Sequence, residues 1–372
     1  MHDRQALGPA DVDDVTLTGM VADLLGHDPA AVRLICSTAT PVDYDIPAIS
    51  TVSRHWVHGE AETPGGRQPY RLFVKHIQAW HHSPFFAFVP EEAREFAKAK
   101  FPWRIEPAVY RSDLPSVLPP GLGAPRALGV FDLEPDAAAV WLEAVQHPPV
   151  DWTLERYERA AYLLGRFAAR PEIVARTGLA GFEWTVFDYL YGRVAAQVVP
   201  EVLGEEAWQR DEVREHFDPE LRERLQQAAG RLEAITGELV RVPKFASHGD
   251  ACPNNLLPGT DPDSFTLIDF GFFLDQPVGF DLGQLIAGNT QLGLGPWDRL
   301  GELDERCLTA YLAGTAEEGV TLDPALVRRA HALQLLLFAG ISSLPEPGMT
   351  PAQSAARAAL ARHSLDLLDA TS

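Results

Sequence analysis

The chain has little cysteine: only Cys36, Cys252 and Cys307 in 372 residues. Three scattered thiols are too few for a disulfide framework or a zinc site, and the default setting is a reducing cytoplasm. Long apolar runs are missing too. The longest patches, "ALQLLLFAG" around Leu335 and "PFFAFV" around Phe86, fall far short of the ~20 residues that span a bilayer. The opening "MHDRQALGPADVDD" is acidic and lacks the apolar run of a signal peptide. Positive charge is scarce: 31 basic against 52 acidic residues give a formal charge of −21. Such a chain repels polyanions, which argues against nucleic acid and anionic membranes as partners.

Lysine is rarer still, at Lys75, Lys98, Lys100 and Lys244 alone. Lys75 lies inside "YRLFVKHI", an otherwise bulky apolar strand. An ammonium there costs free energy unless it faces an anion, or snorkels from an edge strand. No G-x-G-x-x-G precedes it; Ser50 and Thr51 stand where glycines would be expected.

The first 145 or so residues read as strand-rich. "ISTVSRHWVHGEA", the turn "TPGGRQ" and "PYRLFVKHIQ" suggest a hairpin, and "APRALGVFDL" and "AAAVWLEAV" flank another turn near Pro135. Between the pairs lies a mostly helical stretch interrupted at Pro102. Residues 79–103 look like an insertion whose aromatics form local core, with His81 and His82 as surface residues pointing apart. "HPPVDW" then marks a boundary, giving units 1–145 and 146–372. The second unit reads as helical. "DPELRERLQQAAGRLEAITG" predicts one helix capped by Asp218 and ending at Gly237.

The chemistry is concentrated in "SHGDACPNNLLPG" and "LIDFGFF". Asp and Asn suit neither strand nor helix interiors, yet they hold hard cations and hydroxyl protons well. Phosphoryl transfer needs a carboxylate for the acceptor hydroxyl and oxygen ligands for the metal on the phosphates. Asp250 precedes Asn255 by five residues, and Asp269-Phe270-Gly271 follows. Each piece alone arises often by chance. The ordered set, downstream of a sheet, points to a kinase-type site.

Here the chain resembles the aminoglycoside phosphotransferase and choline kinase relatives of the protein kinase fold, through "HGDACPNN", "LIDFG" and "GFDLGQLI". The resemblance implies an α+β, bilobal architecture: an N-terminal antiparallel sheet lobe with a helix and a larger helical C-terminal lobe. It implies Asp250 as catalytic base, Asn255 and Asp269 as Mg²⁺ ligands, and a structural role for His248. Lys75 is implied as the phosphate-contacting lysine, paired with Glu106 or, in reserve, Glu95. Asp281 reads equally as a brace for the loop or a helix N-cap. Adenine is expected at the backbone around Glu143 and Val145, so ATP is the expected donor and GTP is not excluded. Gly249, where many protein kinases carry Arg, favours a small hydroxyl acceptor over a protein. Asp275, Glu183, Asp188 and Tyr189 are acceptor candidates and ordinary structural residues alike, and the acidic balance leans to a cationic acceptor such as an aminoglycoside. The rival readings are a nucleotide-binding pseudokinase acting as a regulator and a metal-dependent phosphoesterase.

Overall fold

The computed structural model describes residues 2–43, 48–147, 149–259, 261 and 263–372. The chain divides into two compact units, one of residues up to 116 with 124–146, the other of 117–123 with 147–372.

In the first unit the strands are β1 (His2–Asp3), β2 (Arg33–Pro41), β3 (Thr51–Thr63) and β4 (Gly66–Gln78). After β5 (Leu122–Gly123), which belongs to the second unit, come β6 (Ala127–Leu133) and β7 (Ala137–Glu143). Among the described residues they form one six-stranded sheet in the order β1-β2-β3-β4-β7-β6. Only the short β1 pairs in parallel. Both hairpins fall where the turn residues place them. Thr63 Oγ1 closes the β3–β4 turn by donating to the Gly66 carbonyl at 2.9 Å.

Helix α1 (Asp14–Leu25) was not expected in this strand-rich stretch. Its ends follow local chemistry all the same. The Asp13 carboxylate accepts from Thr16 N at 2.7 Å, and Gly26 closes the helix at φ 73°. Its apolar face, Leu17 and Val21, joins Val57, Leu72, Val74 and Trp141 of the sheet in one buried core. Helices α2 (Arg94–Lys100) and α3 (Ile105–Arg111) flank the break at Pro102. Pro107 falls in the first turn of α3, where its missing N–H costs nothing.

The second unit is mainly helical. Helix α4 (Leu154–Ala169) begins at the Thr153 cap and buries Tyr157, Leu164 and Phe167. The expected helix from Asp218 to Gly237 is instead two, α5 (Pro219–Ala229) and α6 (Leu232–Leu239). Gly230 favours helix weakly, and Arg231 leaves it at φ −112°, ψ 2°. The apolar face survives the break, since Leu221, Leu225, Leu232 and Ile235 are all buried. Gly237 therefore lies inside α6 rather than at its end.

Four short strands follow: β8 (Lys244–Ser247), β9 (Leu256–Pro258), β10 (Phe265–Leu267) and β11 (Leu274–Pro277). Strand β10 pairs antiparallel with β9 and parallel with β5, which draws 117–123 into this unit. Strands β8 and β11 pair antiparallel. Helices α7 (Phe280–Gln291), α8 (Leu300–Glu317), α9 (Pro324–Leu335) and α10 (Pro351–Ala370) complete it. No helix among the described residues is long and apolar enough to cross a membrane.

Candidate active site

Lys75 sits opposite Val140 of β7 in the interior of the first unit's sheet. Its ammonium is buried, and its Nζ donates to Glu106 Oε2 at 2.5 Å. Glu106, in the first turn of α3, is buried as well. A buried charge is tolerable only with such a partner. This excludes the edge-strand reading of Lys75. Glu95, the reserve partner, is exposed and pairs with Lys98 at 2.8 Å.

In the second unit, β8 delivers the chain into the loop that begins at His248. The β9–β10 hairpin does the rest. Leu256 pairs with Leu267, and one step outward Ile268 N donates to the Asn255 carbonyl at 3.1 Å. The register therefore sets Asp269 at the open end of the hairpin beside Asn255. Asn255 Nδ2 donates both to the Asp250 carbonyl at 2.9 Å and to Asp250 Oδ2 at 3.0 Å. With its amide nitrogen committed twice, Asn255 keeps Oδ1 as an acceptor for a cation. Asp269 stands at φ 62°, a left-handed conformation that a non-glycine residue rarely adopts. The carboxylates of Asp250 and Asp269 and the Asn255 amide oxygen are hard oxygen donors, which fits Mg²⁺ or Ca²⁺ rather than a thiophilic metal.

Asp281 holds this loop from behind. Its Oδ1 accepts from Ser247 Oγ at 2.8 Å and Gly249 N at 2.9 Å, and its Oδ2 from His248 N at 2.9 Å. The N-cap of α7 is Gly279, so Asp281 is the brace and not a cap. Burial pushes its carboxyl above the ordinary value, while His248 and these donors oppose the shift. Two fixed backbone N–H groups aimed at its oxygens favour the ionised form.

His248 is fully buried. Its Nε2 lies 3.0 Å from the Ile268 carbonyl, and its Nδ1 accepts from Asp250 N at 3.4 Å. The ring is therefore neutral and committed on both sides. Burial holds its pKa below the ordinary value, with Asp281 and Asp269 pulling the other way. A His depressed in the folded state binds its proton more readily once the chain unfolds. Its contribution is present above the unfolded value, about 6.5, and is lost as pH falls from there toward the folded value. The melting temperature should therefore drop between pH 7 and 5.5, and His248→Gln should flatten part of that slope. Buried His55 and His76, also lowered chiefly by burial, act in the same direction. A wild-type midpoint that rises on acidification would contradict this reading.

Gly249 has a reason the sequence did not reveal. It stands at φ 81°, and a Cβ there would lie 2.1 Å from the Phe272 carbonyl oxygen. The arginine common in regulated kinases cannot be built on this backbone. Gly249→Ala should cost at least about 2 kcal/mol, from left-handed strain plus overpacking, and lower the urea midpoint accordingly. An unchanged midpoint would show that the loop relaxes.

The remaining expected residues are less decisive. Ser50 ends the β2–β3 connection, of which residues 44–47 lie outside the described set, and Thr51 begins β3; the Ser50 carbonyl accepts from Gln78 N at 2.7 Å. Glu143 ends β7, its Oε1 accepting from Arg126 N at 3.0 Å, and Val145 follows in the connection. Asp188 closes a capping box with Thr185, and Tyr189 stacks on Phe338 at 4.1 Å, so both have structural work. Asp275 is exposed on β11, and Glu183 is exposed. Burial pushes the Cys252 thiol up to about 12, which suits a space-filler and not a nucleophile.

Residues 199–321, which carry the loop, the hairpin and Asp281, match the model of the family described as "Phosphotransferase enzyme family". No curated protein matches the chain in sequence. Among solved structures, an aminoglycoside phosphotransferase from Alicyclobacillus acidocaldarius superposes with a TM-score of 0.50 at 16% identity, over 89% of this chain and 96% of that one. That likeness is one of fold. An aminoglycoside phosphotransferase from Streptomyces rimosus, in complex with ADP and streptomycin, gives 0.43 at 19% identity over 88% and 100% of the two chains. An ethanolamine kinase from Plasmodium vivax gives 0.45 at 11% identity over 96% and 89%.

Proposed function

We propose that the chain is a phosphotransferase of the aminoglycoside phosphotransferase and choline kinase-like family, as the match of residues 199–321 to the phosphotransferase family supports, and that it moves the γ-phosphate of ATP onto a hydroxyl of a small molecule. The observation that carries this reading is the clasp of Asp250 by Asn255, with Asp269 returned beside Asn255 by the β9–β10 register. Asn255 Oδ1 and the Asp269 carboxylate would hold Mg²⁺. When bound, Mg²⁺ supplies charge neutralisation on the phosphate oxygens.

The chain's own groups do the rest. Asp250, positioned by Asn255, is assigned as the acceptor for the hydroxyl proton and orients the hydroxyl oxygen for attack. Lys75, positioned by Glu106, is assigned to the phosphate oxygens. The backbone at Glu143–Val145 is assigned to the adenine, and the Ser50–Thr51 segment to the phosphates. Residues 1–145 then serve the nucleotide, and 146–372 supply the catalytic loop and the acceptor. The acidic balance of the chain favours a cationic acceptor of the aminoglycoside kind.

Both nitrogens of His248 are spent on backbone groups. The loop thus offers no imidazole to a two-metal hydrolase, which disfavours the phosphoesterase reading. The full set of Lys75, Asp250, Asn255 and Asp269 disfavours the pseudokinase reading. The test is acceptor-dependent ADP release over a panel of aminoglycosides, macrolides, choline, alcohols and sugars.

A further inference from the structure

The sequence suggests that His81 and His82 point apart, with no third ligand near in sequence. The structure corrects the first point and brings a third ligand from far along the chain. The two residues form a single 3-10 turn, Trp80–His82, with ring centroids 4.0 Å apart. Asp136, in the β6–β7 turn, comes to them across the fold. Ala79 N donates to the Asp136 carbonyl at 2.8 Å, which ties the start of the inserted segment to that turn. One ligand atom from each of His81, His82 and Asp136 lies within 4.8 Å of the other two.

The geometry within the cluster is not that of a hydrogen bond. His81 Nε2 is 3.7 Å from Asp136 Oδ2, beyond hydrogen-bond reach. Two ligands on a tetrahedral zinc ion, each bonded at 2.0–2.1 Å, lie roughly 3.3 Å apart. His81 Nδ1 is buried without a hydrogen-bond partner, so neither nitrogen of this ring is satisfied by the protein. Arg104 occupies the other carboxylate oxygen of Asp136 at 3.0 Å, fixing the group while Oδ2 stays turned toward His81. Glu95 on α2 is paired with Lys98 at 2.8 Å, and the fourth position is left to water.

We propose that His81, His82 and Asp136 form a structural site for a zinc-class divalent transition metal, separate from the oxygen-donor set around Asp269. Its two imidazoles and one carboxylate select borderline metals over Mg²⁺ and Ca²⁺. The site clamps the segment that leaves β4 after Lys75 to the β6–β7 turn, just ahead of the helix that carries Glu106. The scarcity of cysteine argued against zinc, but two histidines and a carboxylate need no thiolate.

The experiment uses the full-length protein without a histidine tag, stripped with chelator and held in excess Mg²⁺ to occupy the oxygen sites. Co²⁺ titration should give a tetrahedral visible absorption band saturating at one equivalent, and Zn²⁺ should abolish it by displacement. His82→Ala, at an exposed position that leaves packing intact, should remove the band and weaken Zn²⁺ binding by about tenfold or more. Asp136→Asn should weaken it too. Zn²⁺ should raise the melting temperature of the wild type and leave that of His82→Ala unmoved. No cobalt band in the wild type, or a band that persists in both His81→Ala and His82→Ala, would overturn the proposal.

Discussion

Asp250→Ala should lower kcat for phosphate transfer by about 10²–10⁴-fold, the usual contribution of a positioned general base. Nucleotide affinity should barely change. The variant keeps the Asp250 carbonyl that anchors Asn255 Nδ2 at 2.9 Å, so Asn255 loses one of its two restraints and not both. The other members of the loop are held independently, by Asp281 through Ser247, His248 and Gly249. The damage should therefore stay in the chemical step. Steady-state kinetics beside calorimetric titration of Mg·ATP would separate the two effects. Turnover within a few fold of wild type would remove Asp250 from the role of base.

Lys75→Met is the second large effect, and it should strike stability and activity together. Removing the ammonium takes the cationic partner from a buried Glu106 carboxylate, a loss of about 3–5 kcal/mol when one partner of a buried pair goes. The double variant Lys75→Met/Glu106→Gln removes both charges and should regain much of that loss. Activity should not return with it, because the cation assigned to the phosphates is still missing. Urea denaturation and the Michaelis constant for ATP, measured on single and double variants, make the distinction. A double variant that recovers turnover would make Lys75 a structural residue only.

How far the sequence disclosed this depended on the range over which each residue's reason acts. Asp250, Asn255 and the Asp-Phe-Gly run were legible because loop chemistry is local and their spacing survives in one dimension. The β3–β4 and β6–β7 hairpins were legible for the same reason, since turn residues announce themselves. The pairing of Lys75 with Glu106 was suggested by an ammonium in an apolar strand, but its partner lay across an insertion and had to be chosen by context. Asp281 could be read two ways, because an acidic residue near a helix start fits a cap as well as a brace. Only the bonds to His248 and Gly249 decide it. The Phe272 carbonyl that forbids a side chain at 249 is a tertiary contact with no sequence signal.

The failures have the same origin. Helix α1 lies in a stretch expected to be strand-rich, where β-branched Val15, Thr16 and Thr18 weaken helix propensity, although the Asp13 cap and the Gly26 stop are local helix signals. The helix through Gly230 was read as continuous because its apolar face is continuous, and the backbone break does not disturb that pattern. In the inserted segment, Trp80 packs on Phe86 and Phe101 as local core, yet Phe88 is 83% exposed. Two adjacent histidines could be seen as a cluster only once the turn at Asp136 was brought beside them.

The proposed activity of this loop is phosphate transfer to a small hydroxyl acceptor. One measurement addresses it most directly: acceptor-dependent ADP release over the compound panel, with each hit checked by mass spectrometry for one added phosphate. At least one phosphorylated product is expected with the wild type, formed at least about 10²-fold more slowly with Asp250→Ala. Tight Mg·ATP binding with no phosphorylated acceptor anywhere in the panel, or phosphate-ester hydrolysis that needs no ATP, would contradict it.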